Sequence, residues 1–270
     1  MKLLSKILRF YINASIHVAL AVVSFTCITY MDFDVDAEAN LLIFVFFSTI
    51  VAYTFVKYIP LVRNTPLRLT NSLKAILSLA LISIIPIVVS FTRINFASMV
   101  VVGVLGIFTL LYVLPFLPKA KNLRDVSGLK IFIIALVWCG TTVILPLVAS
   151  NYNFGISDLE LVFYSISRFL MVIALIIPFE IRDLKLDDIY LKTVPQVLGV
   201  VNTKMFTIGL VFLSLFLSFF SQIDGYTYIF MHGLMILLIL GSRRSNPFLY
   251  TAFLVESIPI WWVMIKYFTS

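Results

Sequence analysis

Six ionisable side chains fall within nine residues at Glu180-Ile181-Arg182-Asp183-Leu184-Lys185-Leu186-Asp187-Asp188, directly after an uncharged run from Met171 to Pro178. On a helix, Glu180, Asp183 and Asp187 stand at i, i+3 and i+7 and share one face. Clustered carboxylates beside apolar chain are costly unless a cation neutralises them. A divalent ion suits that role, because hard cations take oxygen ligands and Mg²⁺ commonly bridges a few carboxylates to a substrate phosphate. The same residues also read as a solvated loop of mixed charge. A second cluster, Lys119-Ala120-Lys121-Asn122-Leu123-Arg124, is basic. It could neutralise phosphate oxygens that a metal leaves uncovered, or it could simply mark one side of a membrane.

The elements that position these clusters are apolar. Of 270 residues, 61% are hydrophobic and 12% charged, against about 45–50% and about 25% in a soluble domain. The chain therefore reads as an integral membrane protein, with residues 1–270 as one transmembrane helical domain. A spanning helix needs about 20 mostly apolar residues. Nine segments meet that need, near 11–31, 41–62, 73–92, 96–117, 129–149, 159–179, 204–222, 226–242 and 247–267. The basic N-terminus leads into the first of them without a small-residue cleavage site, so that segment reads as a retained helix.

Loop charge orients the spans. With the N-terminus in the cytoplasm and the C-terminus outside, sixteen of the 20 Lys and Arg fall on the inner side, and only Arg93 and Lys266 on the outer. That is the positive-inside pattern. Both clusters then share the cytoplasmic face. The +7 net charge is spread between apolar runs rather than gathered in a patch, so no nucleic-acid partner is expected. Cys27 and Cys139 read as small apolar packers. The acidic stretch Asp32-Phe33-Asp34-Val35-Asp36-Ala37-Glu38 reads as a solvated outer loop.

Polar residues inside the spans pose separate questions. Arg168 and Glu256 lie at similar depth in the sixth and ninth spans and form a candidate ion pair. Asn13 and His17 stand one turn apart and, like His232, suit hydrogen bonding between helices. Trp261 and Trp262 suit anchoring at the outer interface.

The segment from Glu180 to Asp187, followed by Lys192-Thr193-Val194-Pro195 and Leu198-Gly199, resembles the second aspartate motif of the UbiA superfamily of intramembrane prenyltransferases. Tyr112-Val113-Leu114-Pro115, running through the basic loop to Gly128-Leu129-Lys130, is similar to another family element. The resemblance implies an all-α bundle of about nine helices around a central cavity. It also implies transfer of a polyprenyl group from its diphosphate to a small-molecule, often aromatic, acceptor with Mg²⁺ as cofactor. Carried over by position, Asp183 and Asp187 would hold metal with Glu180 assisting. Lys119, Lys121 and Arg124 would contact diphosphate, and Tyr112 would line the cavity near the reacting carbon. The family's first aspartate motif is absent, since no carboxylate occurs from Leu41 to Leu123. Lys57 stands near where a metal ligand belongs. A fixed cation there repels Mg²⁺ but attracts phosphate. The chain is then either a variant that holds diphosphate with Lys57, or a relative that binds isoprenoid lipid without chemistry. A transporter is a third reading, resting on Arg168 and Glu256.

Overall fold

The computed structural model describes residues 2–64, 70–114, 126, 128–155, 158–185, 191–221 and 225–269, with the backbone alone at 2–5 and 59–64. Helices fall in each of the nine expected segments, and the described residues contain no strand. Six helices are long and apolar enough to cross a membrane, and a bent pair makes a seventh. The protein is therefore an all-helical, multi-pass membrane protein.

That bent pair is α1 (Lys2–Asn13) and α2 (Ile16–Asp32), which meet at 57°. Ser15 makes the corner with a φ of 62°, in the left-handed region. The break separates Asn13 from His17, so the shared helical face expected for them does not form. His17 does join helices. Its Nε2 donates to the Phe253 carbonyl at 3.0 Å, which leaves Nδ1 to accept from the Tyr11 hydroxyl at 2.9 Å. Beyond the corner α2 buries residues on every face, from His17 to Tyr30, and forms the centre of the bundle.

Around it run α3 (Ala39–Asn64), α4 (Asn71–Phe91) and α5 (Phe96–Val113), the last two turning at residues 92–95. The Asn95 side chain caps α5 at the Ser98 amide and reaches the Val148 carbonyl. The outer faces of α4 and α5 are apolar and exposed, with Leu81, Ile85 and Ile107 among them, as lipid-facing helices require. The next span is α6 (Leu129–Cys139), a wide π turn at Gly140–Ile144, and α7 (Leu145–Ala149). Gly140 sits against Leu105, and a Cβ there would come within 2.5 Å of it. The π turn frees the Thr142 carbonyl, and the Thr29 hydroxyl donates to it at 2.6 Å.

The largest core joins α2 and α6 to α8 (Leu159–Asp183), α9 (Val194–Phe219), α10 (Gly225–Gly241) and α11 (Ile258–Thr269). Lipid gives helices no hydrophobic reason to associate, so packing and interhelical hydrogen bonds must hold them. Ser167 of α8 and Ser214 of α9 supply a reciprocal pair, each hydroxyl donating to the other's carbonyl at 2.8 and 2.9 Å. His232 donates from Nδ1 to the Tyr228 carbonyl at 2.7 Å and packs against Trp262. Trp262 is fully buried among Phe25, Tyr228 and His232. It is a core residue, because its ring fills the gap between α2 and α10, and not the interface anchor its position suggested.

Candidate binding site at the basic end of the bundle

The charged stretch after the sixth span has its helical part on the last turn of α8. The helix carries Pro178 and ends at Asp183, so Glu180 and Asp183 project from one side of its end. Behind them, Thr193, Pro195 and Gly199 have local structural work. The Gln196 side chain accepts from the Thr193 amide at 2.9 Å, and Pro195 lies in the first turn of α9, where no N–H is needed. Gly199 has a φ of 74°, a conformation only glycine adopts without strain.

Glu180 and Asp183 line a cavity of about 240 Å³ together with Lys130, Glu256, Tyr53 and Trp138. Each of the two carboxylates meets a cation of the protein. The ammonium of Lys130 lies 2.7 Å from Glu180, whose side chain is buried. The Arg182 guanidinium grips Asp183 with two prongs, Nε to Oδ1 at 2.6 Å and Nη2 to Oδ2 at 2.9 Å. Its third nitrogen, Nη1, donates to the Thr251 hydroxyl. Thr251 belongs to a second π turn, Tyr250–Val255, and Glu256 follows directly. The carboxylate of Glu256 lies within electrostatic reach of both Lys57 and Arg182. Lys57 donates to the Ser15 hydroxyl at 3.0 Å and stands 5.9 Å from the Tyr53 ring. Lys57 therefore stands near Tyr53, which lines the cavity, while its own side chain is not part of that lining.

Beyond this mouth the lining becomes apolar. The Trp138 indole donates to the Tyr53 hydroxyl at 2.9 Å, and this pair also borders a cavity of about 100 Å³. Tyr112 lines that second space, beside Thr109 and Ile133. Ala52, Thr109 and Val137 in turn border a third space of about 420 Å³ between α3, α5 and α6, which ends at Phe44, Ile87 and Leu145. The three spaces adjoin in succession along shared walls, with charged lining at one end and apolar lining at the other. Tyr112 thus belongs to the apolar part rather than the charged mouth.

Four expected site residues, Asp187, Lys119, Lys121 and Arg124, lie outside the described residues. Among the described residues, no three carboxylate, histidine or cysteine side chains group in a way that could hold a metal ion. Glu180 and Asp183 each spend their charge on a protein cation. The described donor set therefore does not fit the expected Mg²⁺ site. The sequence does not single out Lys130, Arg182 or Glu256, or the Tyr53–Trp138 pair, as parts of this site. Lys130 sits two residues after Gly128 in the second matched element, which was the available signal. The others are assembled by packing between distant helices.

Arg168 and Glu256 do not pair. Arg168 donates to the Phe25 carbonyl at 3.0 Å and to the Tyr164 hydroxyl, and its guanidinium lies 4.2 Å from the Phe25 ring. The carboxylate of that neighbourhood is Asp32. It accepts from Tyr164 at 2.8 Å and from Tyr228, and it meets Lys266 at 2.8 Å with its own side chain fully buried. Asp32 is thus an interior anchor rather than part of a solvated loop, because two tyrosines and a lysine close over it.

No family model matches the chain, and no curated protein sequence matches it as a relative. Solved structures do match. A UbiA homolog from Archaeoglobus fulgidus bound to GPP and Mg²⁺ aligns over 96% of this chain and 98% of its own at 12% identity, with a TM-score of 0.62. A UbiA homolog from Aeropyrum pernix K1, in its apo form, aligns over 93% and 98% at 13% identity, again with a TM-score of 0.62. A digeranylgeranylglyceryl phosphate synthase aligns over 97% of both chains at 19% identity with a TM-score of 0.55. The chain therefore has the fold of the UbiA intramembrane prenyltransferases, along essentially its whole length.

Proposed function

We propose that this protein binds a polyprenyl diphosphate in the succession of cavities and transfers the prenyl group to a small-molecule aromatic acceptor. The observation that carries the reading is the graded lining. A mouth lined by Lys130, Glu180, Asp183 and Glu256, with Arg182 held against Asp183, adjoins an apolar chamber along the Tyr53–Trp138 pair. An anionic headgroup on a hydrocarbon tail is the ligand whose two halves match those two halves. The fold supports the same reading, since solved proteins that share it bind GPP or DMAPP with Mg²⁺.

In the reaction, the allylic C–O bond breaks and diphosphate leaves with the electron pair. The acceptor carbon then bonds to the prenyl carbon, and the proton it sheds leaves with the diphosphate. The chain's own residues bind and orient. Lysine and arginine at the mouth stabilise the departing charge, and the apolar walls keep water from the allylic cation. We assign this end of the bundle to the cytoplasmic side on the sequence pattern of loop Lys and Arg alone.

Incubation of the purified protein with geranyl and geranylgeranyl diphosphate and a panel of aromatic acceptors tests the proposal, with inorganic diphosphate release as the readout. Acceptor-dependent release supports transfer. Binding without release under any condition assigns the protein to isoprenoid-lipid binding instead. The paired state of Glu180 and Asp183 favours that second reading.

A further inference from the structure

The chain before Ser15 is unlike the spans. From Lys2 to Asn13 its polar residues, Lys2, Ser5, Lys6, Arg9 and Asn13, recur at the helical period, and the positions between them are apolar. No carboxylate precedes Asp32 in the chain. Three cations on one short helix are costly in hydrocarbon, and the chain turns by 57° at Ser15 before the apolar α2 begins. The corner is held from several sides. Ile12 is buried, the Tyr11 hydroxyl donates to His17 at 2.9 Å, and Lys57 donates to the Ser15 hydroxyl at 3.0 Å. The direction of α1 is thus set by the bundle.

Two sides of α1 are left without protein cover. Lys6 and Arg9, three residues apart, share one side and are exposed. Among the described residues neither side chain meets a hydrogen-bond or ion-pair partner. Ile7 turns to a different side and is 57% exposed. We propose that α1 lies along the bilayer surface and binds the headgroup phosphates of anionic lipids. Lys6 and Arg9 hold the phosphates, and Ile7 enters the acyl boundary.

The partner follows from what surrounds the helix. α1 leads directly into a membrane span, so lipid is the medium beside it. A lipid surface offers anionic groups next to hydrocarbon, and an exposed isoleucine beside two exposed cations matches both. An acidic protein would satisfy the cations alone. A zwitterionic headgroup carries its own cation, so anionic lipids are preferred, by about fivefold for each Lys or Arg near the surface. Because Tyr11, Ile12 and Ser15 already fix α1, little ordering remains to be lost on binding. This lipid site does not depend on prenyl transfer.

The test puts a bimane fluorophore on Ile7→Cys of the full chain, with Cys27→Ser and Cys139→Ser, in phosphatidylcholine nanodiscs. Trace phosphatidylglycerol or trace phosphatidylcholine is added, each with a nitroxide quencher on its acyl chain near the headgroup. The proposal expects labelled phosphatidylglycerol to be enriched at residue 7 by at least about fivefold over labelled phosphatidylcholine. Lys6→Gln combined with Arg9→Gln should bring the two within about twofold. An unchanged melting temperature in that variant separates lost recognition from misfolding. Enrichment that survives the double substitution overturns the assignment to Lys6 and Arg9. Equal quenching by the two lipids without those substitutions overturns the proposal, and so does quenching by neither, which places α1 off the bilayer. Loss of the enrichment to inorganic phosphate at matched ionic strength assigns the cations to free phosphate and overturns it too.

Discussion

The bundle carries two charged clusters on the same pair of helices, and they have opposite characters. Asp32 ends α2 and Tyr164 lies near the start of α8, so they meet at one end. Ser15 begins α2 and Asp183 ends α8, so they mark the other end, about 25 Å away along α2 at 1.5 Å per residue. Around Asp32 itself the charges are enclosed. Two tyrosines, Lys266 and, through Tyr164, Arg168 surround a fully buried carboxylate that borders none of the three cavities. At the Asp183 end the charges stand around open space. A saturated, enclosed ionic network fixes the relative placement of helices. A network of similar content that lines a cavity keeps donors for a ligand. Buried charge alone does not mark a functional site; the space beside it does.

This contrast predicts different failures at the two ends. The largest effect should be on stability, from Asp32→Asn. Removing the charge leaves Lys266 buried without its partner, a loss of about 3–5 kcal/mol for a broken buried pair. Thermal unfolding in detergent should show a large fall in melting temperature. The folded fraction should keep its affinity for geranyl diphosphate within about twofold, because distant sites act independently. A binding defect in that fraction would break the comparison.

Next in size is Arg182→Lys. It keeps the charge but loses the two-pronged grip on Asp183, and a lysine does not reproduce that geometry. Geranyl diphosphate affinity should fall by about five- to tenfold, because an ammonium has three donors where the guanidinium has five and fewer remain for a phosphate oxygen, with a small change in melting temperature. Asp183→Asn sharpens the comparison further. If Asp183 only holds Arg182, its loss leaves affinity unchanged or up to about threefold tighter, since the guanidinium gains freedom to meet phosphate. If Asp183 holds metal, binding collapses.

The smallest effect concerns the chamber. Gly106 borders the apolar space, and a Cβ added there meets no atom within 4 Å. Gly106→Phe should fill part of it. Affinity for geranylgeranyl diphosphate should drop by about fivefold, while geranyl diphosphate is little affected, as expected when a few methylenes lose burial. Equal losses for both ligands would place the tail elsewhere.

The spans were legible in the sequence because a bilayer demands long apolar runs, and a run of that kind is a local property. Helices appear in each expected segment for that reason. The bend at Ser15 was not legible, since a left-handed serine leaves no compositional trace. The charged mouth was half legible. The spacing of Glu180 and Asp183 showed a shared face, but their partners Lys130 and Arg182 determine what that face can bind. Arg168 shows the limit most plainly. Depth along the spans offered Glu256 as its partner. The structure instead stacks it on Phe25 and turns it to Tyr164, one turn earlier on its own helix. Asp32 looked like the first residue of a solvated acidic loop, and its lysine partner lies 234 positions away in the chain. Pairings across such distances follow from helix packing, which apolar periodicity does not encode.

The central claim is that one ligand spans the charged mouth and the apolar chamber, with its headgroup on protein cations. An experimental structure of the protein with geranyl diphosphate tests it most directly. The account predicts phosphate oxygens at the mouth beside Lys130 and Arg182, and a tail passing the Tyr53–Trp138 pair toward Gly106. A headgroup remote from those two cations, or a tail outside the chamber, would contradict it.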